Sequence, residues 1–308
     1  MHSRLRGQAT VAILVLVVVG VLGSALALHV TQRWHDVLPA DALALYPPDR
    51  EAAPGEVLAG TVIAIMEHEL DGGTGWRPND FLLWGPRLWA DDNANRQLGI
   101  ILAVRESVRV FKDHLTKVSS TEYDKNLVVA ETAFRNDAER LWLPSAESRF
   151  REGVAALRRY IEGLHATPPT SKALTRRNVE LIRLLQSWGD LLGDAHANLF
   201  KEQEADGRRV PLWHADDYFY HAQGVAHVVH HLLRAVQREY QEDLAGRETL
   251  RDLVVQAGES LGRAATLEPI VVLDGGPESL IANHRHNLDV YVVDARQKLY
   301  SIREELEK

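Results

Sequence analysis

Residues 181–199 read LIRLLQSWGDLLGDAHANL, and this stretch decides the fold class. Its apolar side chains recur alternately three and four positions apart, at Leu181, Leu185, Trp188, Leu192, Ala195 and Leu199. Because an α-helix turns once every 3.6 residues, this spacing places them all on one face. The stretch therefore predicts a long amphipathic helix that packs in a bundle.

The same helical period continues on both sides of this stretch. It predicts further helices near residues 57–70, 98–115, 122–140, 145–164, 215–243, 250–261 and 278–306. Ser145 is a good N-cap for the helix that follows Pro144, and Glu147 suits its positive first turn. Short turns between successive helices favour antiparallel neighbours. We therefore expect an all-α protein, an antiparallel bundle of about seven or eight helices.

Composition excludes several classes of function. The chain has no cysteine among its 308 residues, which rules out disulfides, a thiol nucleophile and thiolate metal sites. Its formal net charge is −8, and residues 34–308 hold 32 basic against 43 acidic side chains. A surface this acidic repels phosphate backbones, so we expect no nucleic-acid partner.

The N-terminal segment predicts a membrane anchor. No Lys, Arg, Asp or Glu lies between Arg6 and Arg33. The apolar run from Ala9 to Leu28 has the roughly 20 residues that a helix needs to cross a bilayer. Arg4 and Arg6 precede it, so the positive-inside rule places the N-terminus in the cytoplasm. We expect a single-pass protein of the bacterial inner membrane, with its soluble body in the periplasm.

This interpretation divides the chain into an anchor at 1–30, a linker at 31–55 and a helical periplasmic domain at 56–308. Four prolines break up the linker, at Pro39, Pro47, Pro48 and Pro54. A cleaved secretory signal is the alternative, because Ala25-Leu26-Ala27 has the small-x-small pattern of a cleavage site. Both alternatives export the body.

The most unusual segment runs from Asp71 to Asn95. It is long for a loop and carries an unusual set of aromatic and basic side chains, at Trp76, Arg77, Phe81, Trp84, Arg87 and Trp89. Long ordered loops are often functional. The rings and guanidinium groups predict a groove for an unknown envelope protein or a small ligand. The alternative is that the rings pack onto the bundle and cap its core, each indole finding one hydrogen bond.

A histidine-rich helix offers a metal site as the alternative function. His221, His227 and His231 lie on it, with His230 beside them. A four-residue separation lets two imidazoles chelate zinc or another divalent metal, and His196 is a candidate for a further ligand. Against this, Arg234 and Arg238 continue the face of His227 and His231, which suggests a solvated face.

Two motifs resemble a known family. The first is Gly72-Gly73-Thr74-Gly75-Trp76-Arg77-Pro78-Asn79-Asp80, followed by Trp84, Trp89, Asn95, Gly99 and Val104-Arg105-Glu106. The second is Leu143-Pro144-Ser145-Ala146-Glu147. With the N-terminal anchor, they resemble the bacterial family called domain of unknown function 2333, from residue 55 to the C-terminus. The resemblance implies a membrane-anchored, uncharacterised protein and brings no catalytic residues with it.

No catalytic motif fits its predicted structural context. Gly258-Glu259-Ser260-Leu261-Gly262 matches the nucleophile elbow of hydrolases, but it lies within a helical stripe, where that mechanism needs a strand, a turn and a helix. We therefore expect a scaffold or interaction protein of the cell envelope that needs no cofactor. The alternative is a metal-binding protein or metal-dependent enzyme.

Overall fold

The computed structural model describes residues 11–24, 26–27, 42–47, 49–73, 75–79, 92–116, 122–269, 272–275 and 282–308. Beyond the N-terminal segment, its α-helices are α1 (Glu56–Asp71), α2 (Asp92–Val110), α3 (Lys125–Phe134), α4 (Ala146–His165), α5 (Asn178–Leu199), α6 (Leu212–Glu239), α7 (Gln241–Leu244), α8 (Glu248–Ala265) and α9 (His284–Glu307). A π-helical turn, Phe111–Leu115, extends α2. The described ranges contain no strand, only two isolated bridges. The predicted all-α class is confirmed.

Local side chains fix where several helices begin and end. The Ser145 hydroxyl accepts the backbone N–H of Ser148 at 3.3 Å, so the predicted N-cap of α4 is confirmed. Asp124 caps α3 in the same way, through the N–H groups of Asn126 and Leu127. Helix α1 ends at Asp71, directly before Gly72, whose backbone N–H donates to the His68 carbonyl.

Contacts between helix termini show that the long helices alternate in direction. We call the end of the bundle where α1 begins the proximal end and the opposite end the distal end. At the proximal end, the Leu174 N–H donates to the Pro54 carbonyl at 3.0 Å, and the Asn178 side chain donates to the Leu306 carbonyl at the end of α9. At the distal end, the end of α5 meets the start of α9, where Arg285 donates to the Lys201 carbonyl at 3.0 Å. Within the described residues, α1, α3, α5 and α8 therefore run from proximal to distal, and α2, α4, α6 and α9 return.

A buried carboxylate joins two helices at the proximal end. Glu239, the last residue of α6, accepts the backbone N–H groups of Gly55 at 3.0 Å, Val57 at 2.9 Å and Leu58 at 3.3 Å. These donors form the positive end of α1, which favours a negative charge. Burial raises the pKa of Glu239, and the backbone hydrogen bonds oppose that shift. Glu239 thus caps a helix that lies far away in the sequence.

Helices α2 and α6 cross with their backbones in contact. A methyl group added at Gly99 would lie 2.0 Å from the His221 carbonyl oxygen, and one added at Gly224 would lie 2.0 Å from the Arg96 carbonyl oxygen. Neither position has room for a side chain, so the crossing depends on both glycines. Helix α6 lies inside the bundle and packs against α1, α2, α5, α8 and α9.

The N-terminal segment lies outside this core. Residues 11–24 are helical, and the large aliphatic side chains between Val11 and Leu22 are 46% to 71% exposed. Considering only the described residues, no helix combines the length and the apolar character needed to cross a bilayer. The predicted span, Ala9 to Leu28, includes positions 9, 10, 25 and 28, which lie outside the described residues.

The body has a continuous hydrophobic core that extends into the predicted linker. Ala42 and Tyr46 are buried in this core with side chains from α1 to α9. The Tyr46 ring lies against α1 at Gly60, where an added methyl group would meet its hydroxyl at 2.2 Å. Residues 31–41 of the predicted linker lie outside the described residues.

Candidate functional site

Trp76 lies in the loop after α1, at the distal end of the bundle. It is only 4% exposed, and its ring meets Phe150 edge-on with 4.9 Å between the centroids. Its indole N–H donates to the Ala138 carbonyl at 2.9 Å. The interpretation of this ring as a core cap with one hydrogen bond is therefore confirmed for Trp76.

The remaining residues of the predicted groove are only partly described. Arg77 is buried, and its backbone N–H donates to the Gln97 side-chain oxygen at 2.8 Å. Trp84, Arg87 and Trp89 lie outside the described residues. A groove at this loop therefore stays a prediction.

Gln97 connects the loop to a buried polar cluster, which we define as Glu69, Asn93, Arg96, Gln97, His227 and His231. Its amide nitrogen donates at 3.0 Å both to a Glu69 carboxylate oxygen and to the Gly75 carbonyl. Arg96 lies 3.5 Å from that Glu69 oxygen and donates to the Asn93 side-chain oxygen at 2.8 Å. Glu69 and Arg96 are thus an ion pair removed from water, and each also bonds a side-chain amide, Gln97 for Glu69 and Asn93 for Arg96.

His227 and His231 form the α6 side of this cluster. Both are buried, and their rings meet edge-on with 4.6 Å between the centroids. The expected solvated face is therefore wrong at these two positions. Burial, followed by the neighbouring His231, Arg96, His230 and His68, holds the pKa of His227 well below its ordinary 6.5. Neither ring nitrogen of His227 has a hydrogen-bond partner among the described residues.

The predicted metal ligands do not come together as a set. His221 precedes His227 by six residues, which rotates its side chain by about 240° around the helix. His196 is bonded to Asp289 of α9, with 2.8 Å between Nδ1 and the carboxylate oxygen. In the part of the chain that the structure describes, no group of three or more His, Cys, Asp or Glu side chains is arranged to hold a metal ion. A metal site, with zinc or another divalent ion, stays a prediction.

Ser260, from the sequence that matches the nucleophile elbow, lies within α8. Its hydroxyl bonds the Gln256 carbonyl of the same helix at 3.0 Å and also contacts Asp294. Lys298 of α9 lies 3.2 Å from the Ser260 hydroxyl and is paired with Asp294. Ser260, Asp294 and Lys298 therefore form a hydrogen-bonded contact between α8 and α9.

Sequence reasoning missed an apolar tip, Leu141-Trp142-Leu143, between α3 and α4. Trp142 is 78% exposed and Leu143 is 88% exposed, while Leu141 is 40% exposed. The backbone beside the tip is fixed, because the Arg140 carbonyl accepts from Asn79 and from the Ala146 N–H, both at 3.1 Å. The available signal was three large apolar residues outside any helical stripe, directly before the Pro144-Ser145 helix start.

Comparison with known proteins identifies the family. The chain matches the family described as an uncharacterized protein conserved in bacteria, DUF2333, over residues 3–201 and 186–308. It belongs to that family. The match extends the resemblance from residue 55 back to residue 3. No curated protein and no solved structure matches the chain.

Proposed function

We propose that this DUF2333 protein is a helical scaffold of the bacterial envelope, fixed in the inner membrane by its N-terminal helix. The N-terminus lies in the cytoplasm and residues 56–308 lie in the periplasm. The body works by binding a partner, an envelope protein or a small ligand, and not by catalysis.

The exposed apolar helix at residues 11–24 carries this proposal. Its large aliphatic side chains are 46% to 71% exposed, and added methyl groups at Gly20 and Gly23 would meet nothing within 4 Å. Such a surface is unfavourable in water, by about 25 cal/mol for each Å² of apolar area, and favourable in hydrocarbon. Arg4 and Arg6 support the orientation.

The placement of the reactive residue types supports a non-enzymatic role. The Glu69–Arg96 pair and His227 lie inside the bundle, where a substrate would have to displace packed side chains. Ser260 is engaged by carbonyl and carboxylate groups of its neighbours. Among the described residues, the apolar tip presents large side chains to solvent in the manner of an interaction surface.

Fusions to the C-terminal Lys308 test the topology. Alkaline phosphatase placed there should be active, and a reporter that needs the cytoplasm should be silent. After a carbonate wash, the full-length chain should stay in the membrane pellet. The reverse reporter pattern would refute the orientation, and a mature N-terminus at Leu28 would show a cleaved signal.

A matched pair of variants tests the anchor itself. Val18→Arg places a charge at the centre of the apolar helix, at a cost of about 2.5–3.5 kcal/mol for insertion. It should shift protein from the pellet to the soluble fraction, while Val18→Leu should behave as the parent. Equal membrane retention of both variants would contradict the proposed anchor.

A further inference from the structure

The proposed scaffold function does not specify what the apolar tip contacts. We infer that Leu141, Trp142 and Leu143 insert into the interfacial layer of the lipid bilayer, as a second membrane contact beside the N-terminal helix. The inference rests on the proposed membrane attachment, and it assigns the bilayer as the partner of this surface.

The tip is held in place before any partner arrives. On its N-terminal side, the Ala138 carbonyl accepts the indole N–H of Trp76, and the Arg140 carbonyl accepts from Asn79. On its C-terminal side, Ser145 caps α4 and Asn79 also donates to Glu147 at 2.8 Å. Because the backbone on both sides is already fixed, insertion requires little further ordering of the chain.

The size of the tip favours a bilayer over a protein partner. A stable protein interface buries about 800 Å² on each side, whereas an aromatic side chain buries about 150–250 Å². One Trp and two Leu side chains fall well short of a stable protein interface. A bilayer needs no such area when a second anchor already holds the protein at its surface.

The chemistry of the tip also suits the boundary between headgroups and acyl chains. Trp is enriched at that depth because its ring is apolar while its N–H still finds polar partners. Arg140, directly before the tip, is exposed and is suited to contact phosphate groups. The 32 basic and 43 acidic side chains of residues 34–308 predict that a neutral bilayer is bound better than a strongly anionic one.

The chain is long enough for both contacts to share one bilayer. The tip lies at the distal end of α4, whose 20 residues separate it from the proximal end by about 30 Å. Residues 28–41, between the apolar helix and the body, can span at most about 50 Å when extended. The bundle can therefore lie along the membrane with its tip at the surface.

Single cysteines test the inference directly, because the chain has none of its own. The full chain is reconstituted in phosphatidylcholine nanodiscs with an environment-sensitive fluorophore at Leu141→Cys, Leu16→Cys or Val290→Cys. Leu16 reports the N-terminal helix. Val290 is an exposed apolar residue of α9, which packs on α5, α6 and α8. We expect acyl-chain nitroxides to quench the labels at positions 141 and 16 and to leave the label at 290 unchanged.

A second substitution gives the size of the effect. Leu143→Asp in the Leu141→Cys background should lower the equilibrium constant for insertion, obtained from the quenching of the label, at least about tenfold, since charged and apolar residues differ by more than 1.4 kcal/mol in the bilayer. The fold stays intact, because Leu143 is 88% exposed. Val290→Asp in the same background is the control and should leave the quenching unchanged.

The outcomes separate the two proposals. Quenching at position 16 without quenching at 141 would overturn the tip inference and keep the anchor. Absence of quenching at position 16 would refute the anchor. Energy transfer between position 141 labels of two chains, without lipid quenching, would show that a second copy covers the tip and would likewise overturn the inference.

Discussion

The crossing of α2 and α6 and the apolar tip are opposites in composition. At the crossing, the interior of the bundle holds Glu69, Arg96 and two histidines, packed beside backbones that touch at Gly99 and Gly224. At the tip, the surface holds one Trp and two Leu side chains. A chain that follows simple patterning has apolar residues inside and polar residues outside.

The difference teaches where this protein departs from the requirements of folding alone. A buried ion pair costs desolvation and is often replaceable by apolar residues without loss of stability. An exposed apolar tip gains nothing for the isolated fold. Departures from simple patterning tend to occur at functional or strained sites. Both regions are therefore places where the sequence serves more than the stability of the fold.

The two tryptophans near the distal end give the sharpest contrast. Trp76→Ala should lower the free energy of unfolding by about 3–5 kcal/mol, because it opens a cavity beside Phe150. Trp142→Ala should change it by no more than about 0.5 kcal/mol, since the ring lies in solvent. Urea denaturation followed by circular dichroism measures both. Similar losses in the two variants would show that the tip is packed against the body.

The crossing can be tested by adding one methyl group. Gly99→Ala and Gly224→Ala should each lower the free energy of unfolding by about 3 kcal/mol, because the added carbon collides with a backbone carbonyl of the other helix. Gly258→Ala in α8 is the matched control, because a methyl group there meets nothing within 4 Å. It should stabilise by about 0.5–1 kcal/mol through helix propensity. A neutral Gly224→Ala would contradict direct backbone contact.

The buried polar cluster beside the crossing predicts that the free energy of unfolding depends on pH. The folded chain keeps His227 neutral below its ordinary pKa of 6.5, while the unfolded chain takes up a proton there. Stability from this group is therefore present above that pH and is lost as the pH falls, by up to about 1.4 kcal/mol per pH unit.

His227→Leu should remove the contribution of His227 to this pH dependence. Near neutral pH, it should raise the free energy of unfolding by about 1 kcal/mol, because it replaces a buried imidazole whose nitrogens have no hydrogen-bond partner among the described residues. Unfolding measured from pH 5 to pH 8 tests both effects. Parallel profiles for parent and variant would show that the pKa of His227 is the same in the folded and unfolded chains, and would contradict the lowered pKa.

The smallest effect concerns the tip. Leu143→Asp should change the free energy of unfolding by less than about 0.5 kcal/mol, since the side chain is largely in solvent. Leu185→Ala, in the buried face of α5, should cost about 2–5 kcal/mol. A large loss for Leu143→Asp would mean that the tip belongs to the core.

Much of the helical framework was predictable because its signals are local. The spacing from Leu181 to Leu199 produced the buried face of α5, and Ser145 produced the start of α4. The helix predicted near residues 57–70 is α1, Glu56–Asp71. In each case, the helical repeat or one capping side chain determines the structure without reference to distant residues.

The candidate sites depended on neighbours that the sequence does not reveal. His227 and His231 are buried while Arg234, on the same face, is only partly so, because the 28 residues of α6 extend about 42 Å and meet different partners along that length. Trp76 is buried because Ala138 and Phe150 lie beside it, and Trp142 is not. Two indoles in loops look alike until the tertiary contacts are known.

The Glu239 cap also has a mechanical consequence. A pull on the N-terminal segment would first reach the buried Ala42 and Tyr46, and then Gly55 and Val57, whose N–H groups the Glu239 carboxylate holds. Tension would therefore pass directly into α6, which packs against the long helices α1, α2, α5, α8 and α9, and would not begin by peeling α1 from the bundle. With Glu239→Ala, the same force in an optical trap should detach α1 first, as a separate early step.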